Sequence, residues 1–259
     1  MQIIISPAKT FDLKKTDYCP KELRSKPLFI KNAEQIVSDV LSMPIVDIKK
    51  QLKISDKLCK EFFRALSDFN NAEMPKQSAV VYYSGMVFKK IQAKDFDLSQ
   101  WEWIKEHLFI TSFVYGLLKP TDVISKYRLE GTAHIPKMNT KNVFEYWKPI
   151  LTDILIEKTR KNGGELLFLA SQEMKDMFHW DRVEQSVRVV EPFFETITDD
   201  GTQTKQIVIY TKMCRGSMLS LIVRNGIDNI DDIKTLSPNG FYFSNEDSSD
   251  SIFKFYSKE

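Results

Sequence analysis

The sequence predicts a mixed α/β fold of the α+β kind: one domain over residues 1–259, with helices flanking a mixed sheet. Three observations predict it. Short β-branched and aromatic runs stand at both ends of the chain, helical periodicity fills the space between, and no repeat, linker or low-complexity tract interrupts it. A chain of 259 residues is long enough for a sizeable core.

Met1 to Ile5 reads as a buried strand that Ser6-Pro7 ends, because proline cannot continue a hydrogen-bonded ladder. Phe11 to Pro27 is polar, carries Pro20 and Pro27, and reads as a long surface connection. From Leu28 to Leu41, Phe29, Ala33, Ile36, Val37, Val40 and Leu41 share one helical face. Pro44 opens a short helix with Ile45, Ile48 and Leu52 inward, and Ser55 stands where it would cap a second from Asp56 to Phe69. Ser78 to Tyr83 has the content of a strand, Ser99 is placed to cap a helix through Glu106, and His107 to Thr111 reads as another strand. Asn142 to Lys161 carries the clearest helical pattern, with Gly163-Gly164 at its end. Glu165 to Ala170 is again a strand. Gln185 to Thr198 and Thr204 to Thr211 flank Asp199-Asp200-Gly201-Thr202, a hairpin signal. Lys212 to Arg224 reads as a helix closed by Asn225-Gly226, and Gly240 to Phe243 and Ser251 to Tyr256 as closing strands.

Composition narrows the function classes. The longest apolar runs, such as Leu166 to Ala170, fall far short of the roughly 20 residues that a membrane span needs. The first strand begins directly after Met1 with no charged or apolar leader, which predicts a protein without a secretory signal. Cys19, Cys59 and Cys214 form no C-x-x-C pair, so a cytoplasmic location is expected. His107, His134 and His179 are scattered, and neither a metal site nor a cofactor is expected. The net charge of +2 is uneven: residues 1–60 carry 12 Lys/Arg against 7 Asp/Glu, whereas residues 181–259 carry 9 against 13. That surplus permits a nucleic-acid surface without demanding one, since such surpluses are commonly solvated surface.

Four places carry candidate chemistry. Ser6-Pro7-Ala8-Lys9-Thr10 leaves the first strand with a hydroxyl, a lysine and backbone donors suited to an anion, or forms an ordinary structural turn. It is not a Walker loop, because Gly85 is the first glycine in the chain. Within Tyr115 to Thr132, Lys119 and Arg128 offer cations and Glu130 a carboxylate two residues after Arg128, a phosphate clamp or a surface ion pair. Ser171 and Glu173 follow a strand, where α/β active sites stand and where helix caps stand as well. Lys212 and Arg215 would open the late helix, where cations oppose the macrodipole and call for a partner, an anion or a neighbouring carboxylate.

Together these segments resemble a known family. Ile5 to Thr10, Ser55-Asp56-Lys57-Leu58, Tyr115-Gly116 through Tyr127 to Glu130, Leu169 to Ser171 with Glu173, Arg215-Gly216, and Gly240 to Phe243 with Glu246 to Ser249 follow the order of the YaaA family. The resemblance implies a cytosolic hydrogen-peroxide stress protein that is linked to limiting free intracellular iron. It implies an unusual, family-specific mixed fold, with a basic cleft and a helix-hairpin-helix element that binds double-stranded DNA. That element is expected at Pro44 to Phe69, although Lys53-Ile54-Ser55-Asp56 lacks the usual glycine. Lys9, Thr10, Lys53, Ser55, Lys57, Lys119, Arg128, Lys212 and Arg215 are then the expected phosphate contacts.

The first function expected is therefore sequence-tolerant DNA binding. The alternative is an enzyme acting on nucleic acid or a nucleotide, with Glu130 or Glu173 as general acid or base. No nucleophile–base pair is legible, so the sequence leaves open whether the protein is an enzyme. Direct iron storage is disfavoured, because the histidines are scattered and Glu246 to Asp250 lacks Ca-loop spacing. Any effect on iron is expected to be indirect.

Overall fold

A computed structural model describes residues 1–259 except Lys14, Lys15, Lys53, Ala72, 199–203 and Glu259. Its centre is an eight-stranded mixed sheet built from β1 (Gln2–Ile5), β5 (Leu108–Ser112), β6 (Gly116–Leu118), β8 (Glu165–Leu169), β9 (Arg188–Ile197), β10 (Thr204–Lys205), β11 (Tyr242–Ser244) and β12 (Ile252–Lys258). The order is β11-β12-β9-β8-β1-β5-β6, with β10 on the far end of β9. Neighbours from β12 to β5 run parallel, while β11, β10 and β6 pair antiparallel. Two small pairs stand apart: β2 (Thr10–Phe11) with β4 (Tyr83–Ser84), and β3 (Gln77–Ser78) with β7 (Val123–Ile124).

The parallel strands are covered on both faces, which is why β1 and β5 are wholly buried and read as apolar runs rather than alternating ones. The covering helices are α1 (Ile30–Leu41), α2 (Ile45–Leu52), α3 (Asp56–Ser67), α4 (Ala79–Tyr82), α5 (Met86–Ile91), α6 (Leu98–His107), α7 (Val143–Lys161), α8 (Trp180–Ser186) and α9 (Val208–Asn225). The buried apolar side chains form one contiguous core from Met1 to Phe255. The mixed sheet flanked by helices is the expected fold.

Several helix ends follow local chemistry. Ser55 Oγ accepts the Leu58 N–H and starts α3; Asn142 Oδ1 accepts the Glu145 N–H and starts α7. At α6 the cap is Asp97, not Ser99. Asp97 and Gln100 form a reciprocal capping box, and Ser99 donates to the Asp97 carboxylate instead.

Other expectations give way to tertiary contacts. Ser78 to Tyr83 is not one strand but β3, the single helical turn α4 and β4. The Asp17 carboxylate accepts from Ser78 N and Oγ, while Ala79 N and Val80 N donate to Asp122 O and Pro120 O. Those bonds override the β-propensity of Val80, Val81 and Tyr82. The Phe11 to Pro27 connection is likewise anchored: Asp17 also accepts from Cys19 N, and Arg24 lies 3.5 Å from its carboxylate. Ile45 points outward, 58% exposed, and only Ile48 and Leu52 bury the inner face of α2.

The segment after the hairpin also differs. Ile197 and Thr204 pair antiparallel as expected, and the turn at 199–203 lies outside the described residues. The strand expected over Thr204 to Thr211 stops at Lys205, and α9 begins at Val208. Thr211 donates both N–H and Oγ–H to Ile207 O, so the β-branched run becomes a first helical turn. Lys212 and Arg215 therefore lie in the second turn, beyond the reach of the N-terminal dipole.

Candidate functional site

The carboxyl ends of parallel strands collect the polar groups of α/β proteins, above all where the strand order reverses. Here the chain runs from β1 to β5 on one side and returns as β8 on the other, so the reversal lies between β1 and β8. Ser6 follows β1 and Ser171 follows β8. The Ser171 N–H donates to Ser6 Oγ at 2.7 Å, and the two hydroxyls meet at 3.0 Å. Ser171 precedes the 3-10 turn Gln172–Met177 but makes no side-chain cap bond, so its hydroxyl serves the pair with Ser6 rather than a helix end. Glu173 Oε1 stands 3.5 Å from Ser171 Oγ, and Glu173 is exposed.

Two cations converge beside this pair. Lys9 Nζ donates to Glu130 Oε1 at 2.9 Å, and an Arg128 Nη lies 3.8 Å from the same oxygen. Arg128 Nε is buried and has no hydrogen-bond partner among the described residues. A cavity of about 50 Å³ sits between Ser6, Lys9, Phe113, Arg128, Glu173 and Met174. Behind it, Tyr127 Oη meets Ser112 Oγ at 2.7 Å and Tyr83 Oη at 2.5 Å. Burial pushes the Tyr127 hydroxyl up to about 12, so it stays protonated and fixes the wall of the cavity.

The remaining candidates are dispersed. Arg215 does not line this cavity; burial pulls its guanidinium down to about 10 against the opposing charge of Glu191. Its Nε is also buried without a partner among the described residues. Gly216, next to it, lets α5 approach, since a side chain there would overlap the Val87 carbonyl oxygen. Lys212 is exposed on α9. Thr10 donates its hydroxyl to Ser84 O, which holds β2 on β4. Lys119 follows β6, whose Leu118 pairs with Ile110, so it lies toward the amino end of β5, 3.8 Å from Glu106. That is the edge of the sheet opposite Ser6. Ser55 and Lys57 stand at the start of α3, and Lys53 lies outside the described residues.

The sequence brings Lys9, Arg128, Glu130 and Glu173 into view, and the structure joins them. The Ser6–Ser171 bond and the Tyr83–Tyr127–Ser112 chain escape sequence reasoning, because no local spacing announces partners 165 and 44 residues apart. The cysteines are free and buried. Burial raises the Cys19 thiol and pushes the Cys214 thiol up to about 12, which disfavours the thiolate that reacts with peroxide. No helix among the described residues is long and apolar enough to cross a membrane.

Fold and site define a mixed α/β protein with a small charged cavity at the switch point of its sheet. The family model described as "Peroxide stress protein YaaA" matches residues 1–247, and the chain belongs to that family. It is 43% identical to a UPF0246 protein of Porphyromonas gingivalis, covering 98% of this chain and 99% of that one. A UPF0246 protein of Bacteroides fragilis is 37% identical over 98% of both chains. One from Clostridium beijerinckii is 30% identical over 95% of this chain and 94% of its own.

Proposed function

We propose that this protein serves the peroxide response in the cytoplasm by binding double-stranded DNA, limiting oxidative damage and, indirectly, free iron. Helices α2 and α3 act as a helix-hairpin-helix-like element against the phosphate backbone. The charge of that pair carries the reading: residues 44–69 hold five Lys/Arg excluding Lys53, with four of them exposed and outside the Lys49–Asp56 ion pair. Lys50, Lys57, Lys60 and Arg64 make up that surface, whereas Lys49 is held by Asp56. Exposed cations that neutralise phosphates give sequence-tolerant affinity through counterion release. Fluorescence anisotropy on a series of duplexes of unrelated sequence, repeated across salt concentrations, tests it. Affinity that falls steeply with salt and varies little with sequence is expected; absent or salt-indifferent binding rejects the reading.

One observation favours a second reading, an enzyme acting on nucleic acid or a nucleotide. Glu173 shares the switch-point cavity with Lys9 and Arg128, and Glu130 bridges those two cations, so an acid–base group stands beside phosphate-holding ones. Glu173→Gln that abolishes turnover while duplex affinity stays intact supports it over binding alone.

A further inference from the structure

The geometry points to a phosphate monoester that keeps one proton as the ligand of the switch-point cavity, its charged oxygens on Lys9 and Arg128 and its P–OH on Glu173. This inference shares the cavity of the second reading, needs no catalytic step, and is independent of the α2–α3 surface.

Size comes first. The cavity measures about 50 Å³. On this measure one water needs roughly 10–15 Å³, so the space has room for a tetrahedral oxyanion. Phe113, Leu129 and Met174 line its apolar side.

Donors come next. The Arg128 Nε–H is buried without a partner among the described residues, and Arg128 lines the cavity, so an entering acceptor can satisfy it. Lys9 pairs with Glu130, and its side chain is 64% exposed, free to turn onto a ligand. The hydroxyl pair positions Glu173. Ser6 Oγ already accepts the Ser171 N–H, and one hydrogen bond joins the two hydroxyls. The remaining hydroxyl proton already points at Glu173 Oε1, 3.5 Å from Ser171 Oγ, and ties that carboxylate to the pair.

The carboxylates set the selectivity. Lys9 and Arg128 are matched by Glu130 and Glu173, so the cavity has no surplus positive charge for a fully ionised oxyanion. A carboxylate only accepts hydrogen bonds. Facing a phosphodiester or sulfate, which carry no proton, Glu173 meets bare negative oxygens. A phosphate monoester loses its second proton only near pH 6, so its monoanion can donate P–OH to Glu173. The same pair of groups that repels sulfate then binds phosphate.

Calorimetric titration of the full chain with inorganic phosphate and with sulfate tests this, alongside Glu173→Gln and Lys9→Ala. Phosphate is expected to bind at least about tenfold tighter than sulfate, the size of one hydrogen bond to a charged group. Glu173→Gln should close that gap by admitting sulfate, and Lys9→Ala should weaken both anions. Both residues are exposed, and unchanged melting shows the variants folded. Sulfate equal to phosphate on the unsubstituted chain, no phosphate binding, or an undiminished preference in Glu173→Gln overturns the inference. Duplexes ending in 5′-phosphate or 5′-hydroxyl, and a 5′-mononucleotide, separate the sources. Tighter binding of the phosphorylated duplex assigns the monoester to a strand end; equal duplexes with mononucleotide binding assign it to a small molecule. Duplex binding without any phosphate binding overturns this inference and leaves the helix-pair reading standing, and the reverse result does the opposite.

Discussion

Ser171 and Ser6 are joined twice across the switch point of the sheet: the Ser171 N–H reaches Ser6 Oγ at 2.7 Å, and the hydroxyls touch at 3.0 Å. The bond ties the loops after β1 and β8, which carry Lys9 and Glu173. The two serines are not equivalent. Ser6 supplies the acceptor for a main-chain donor, whereas Ser171 adds only a second hydroxyl.

Ser6→Ala should therefore cost more than Ser171→Ala. Losing Ser6 Oγ leaves the part-buried Ser171 N–H unpaired, a penalty of about 1–3 kcal/mol. Losing Ser171 Oγ removes one ordinary hydrogen bond, about 1 kcal/mol. Denaturant unfolding of the two variants checks the order, and equal losses would show that the main-chain bond does not matter.

A second prediction concerns pH. Burial pushes the Asp122 carboxyl up from 3.8 to about 6, against the Ser25 hydroxyl and Lys119 N–H that favour its ionised form. The folded chain then holds this proton where the unfolded chain has lost it. Asp122 thus favours the folded state fully below about pH 4, and that contribution is lost as pH rises through about 6. The swing is on the order of 2–3 kcal/mol. Asp231 works in the other direction: the Arg188 hydrogen bond, with Lys234, holds its carboxyl far down, so its contribution is lost in strong acid. Subtracting Asp122→Asn from the unsubstituted chain at each pH isolates the Asp122 window. A flat difference between pH 4 and 7 would contradict the burial argument.

Much of this fold is legible in the sequence and part of it is not, for a physical reason. β1, β8, α7 and the Ser55 cap are written in adjacent residues: an apolar run, a 3.6-residue period, a side chain three positions from the amide it caps. Ser78 to Tyr83 and Ile207 to Tyr210 have the same β-branched content as a strand, yet Asp17, Asp122 and Ile207 draw their amides into helical turns. The site divides similarly. Arg128 and Glu130 are two apart and readable as a pair, but Lys9 joins them from 121 residues away. Lys119, close to them in sequence, is turned to the opposite edge of the sheet by the antiparallel step into β6.

That separation makes a third prediction. If α2 and α3 meet DNA, Lys50→Ala, Lys57→Ala and Lys60→Ala each reduce affinity and lower the salt slope by about 0.9 for every phosphate left without its cation. Lys119→Ala, at the far edge beside Glu106, should leave both unchanged. Anisotropy titrations at several salt concentrations read both quantities. An effect of Lys119→Ala as large as that of Lys57→Ala would move the DNA surface off the helix pair.

The last prediction sets two opposing effects of one methyl group at Gly216. In a helix interior, alanine is better than glycine by about 1 kcal/mol, so Gly216→Ala should stabilise α9 on propensity alone. Position 216 also faces α5, where the new carbon would overlap Val87 O and come within 2.8 Å of Lys90 Cβ. Both the Val87 carbonyl and Lys90 Cβ are fixed to the α5 backbone, so neither can give way without moving α5. Overpacking of this kind costs about 1–3 kcal/mol and more where backbone must shift, so the clash should win. Thermal unfolding should show Gly216→Ala melting below the unsubstituted chain. Arg215 is the preceding residue on α9, and its Nε is buried and unpaired among the described residues, so a shift of α9 disturbs its surroundings. Separation of α5 from α9 should admit water to it, so a double substitution Gly216→Ala with Arg215→Met should lose less than the two single losses added together. Additive losses would place Arg215 outside the packing that Gly216 makes possible.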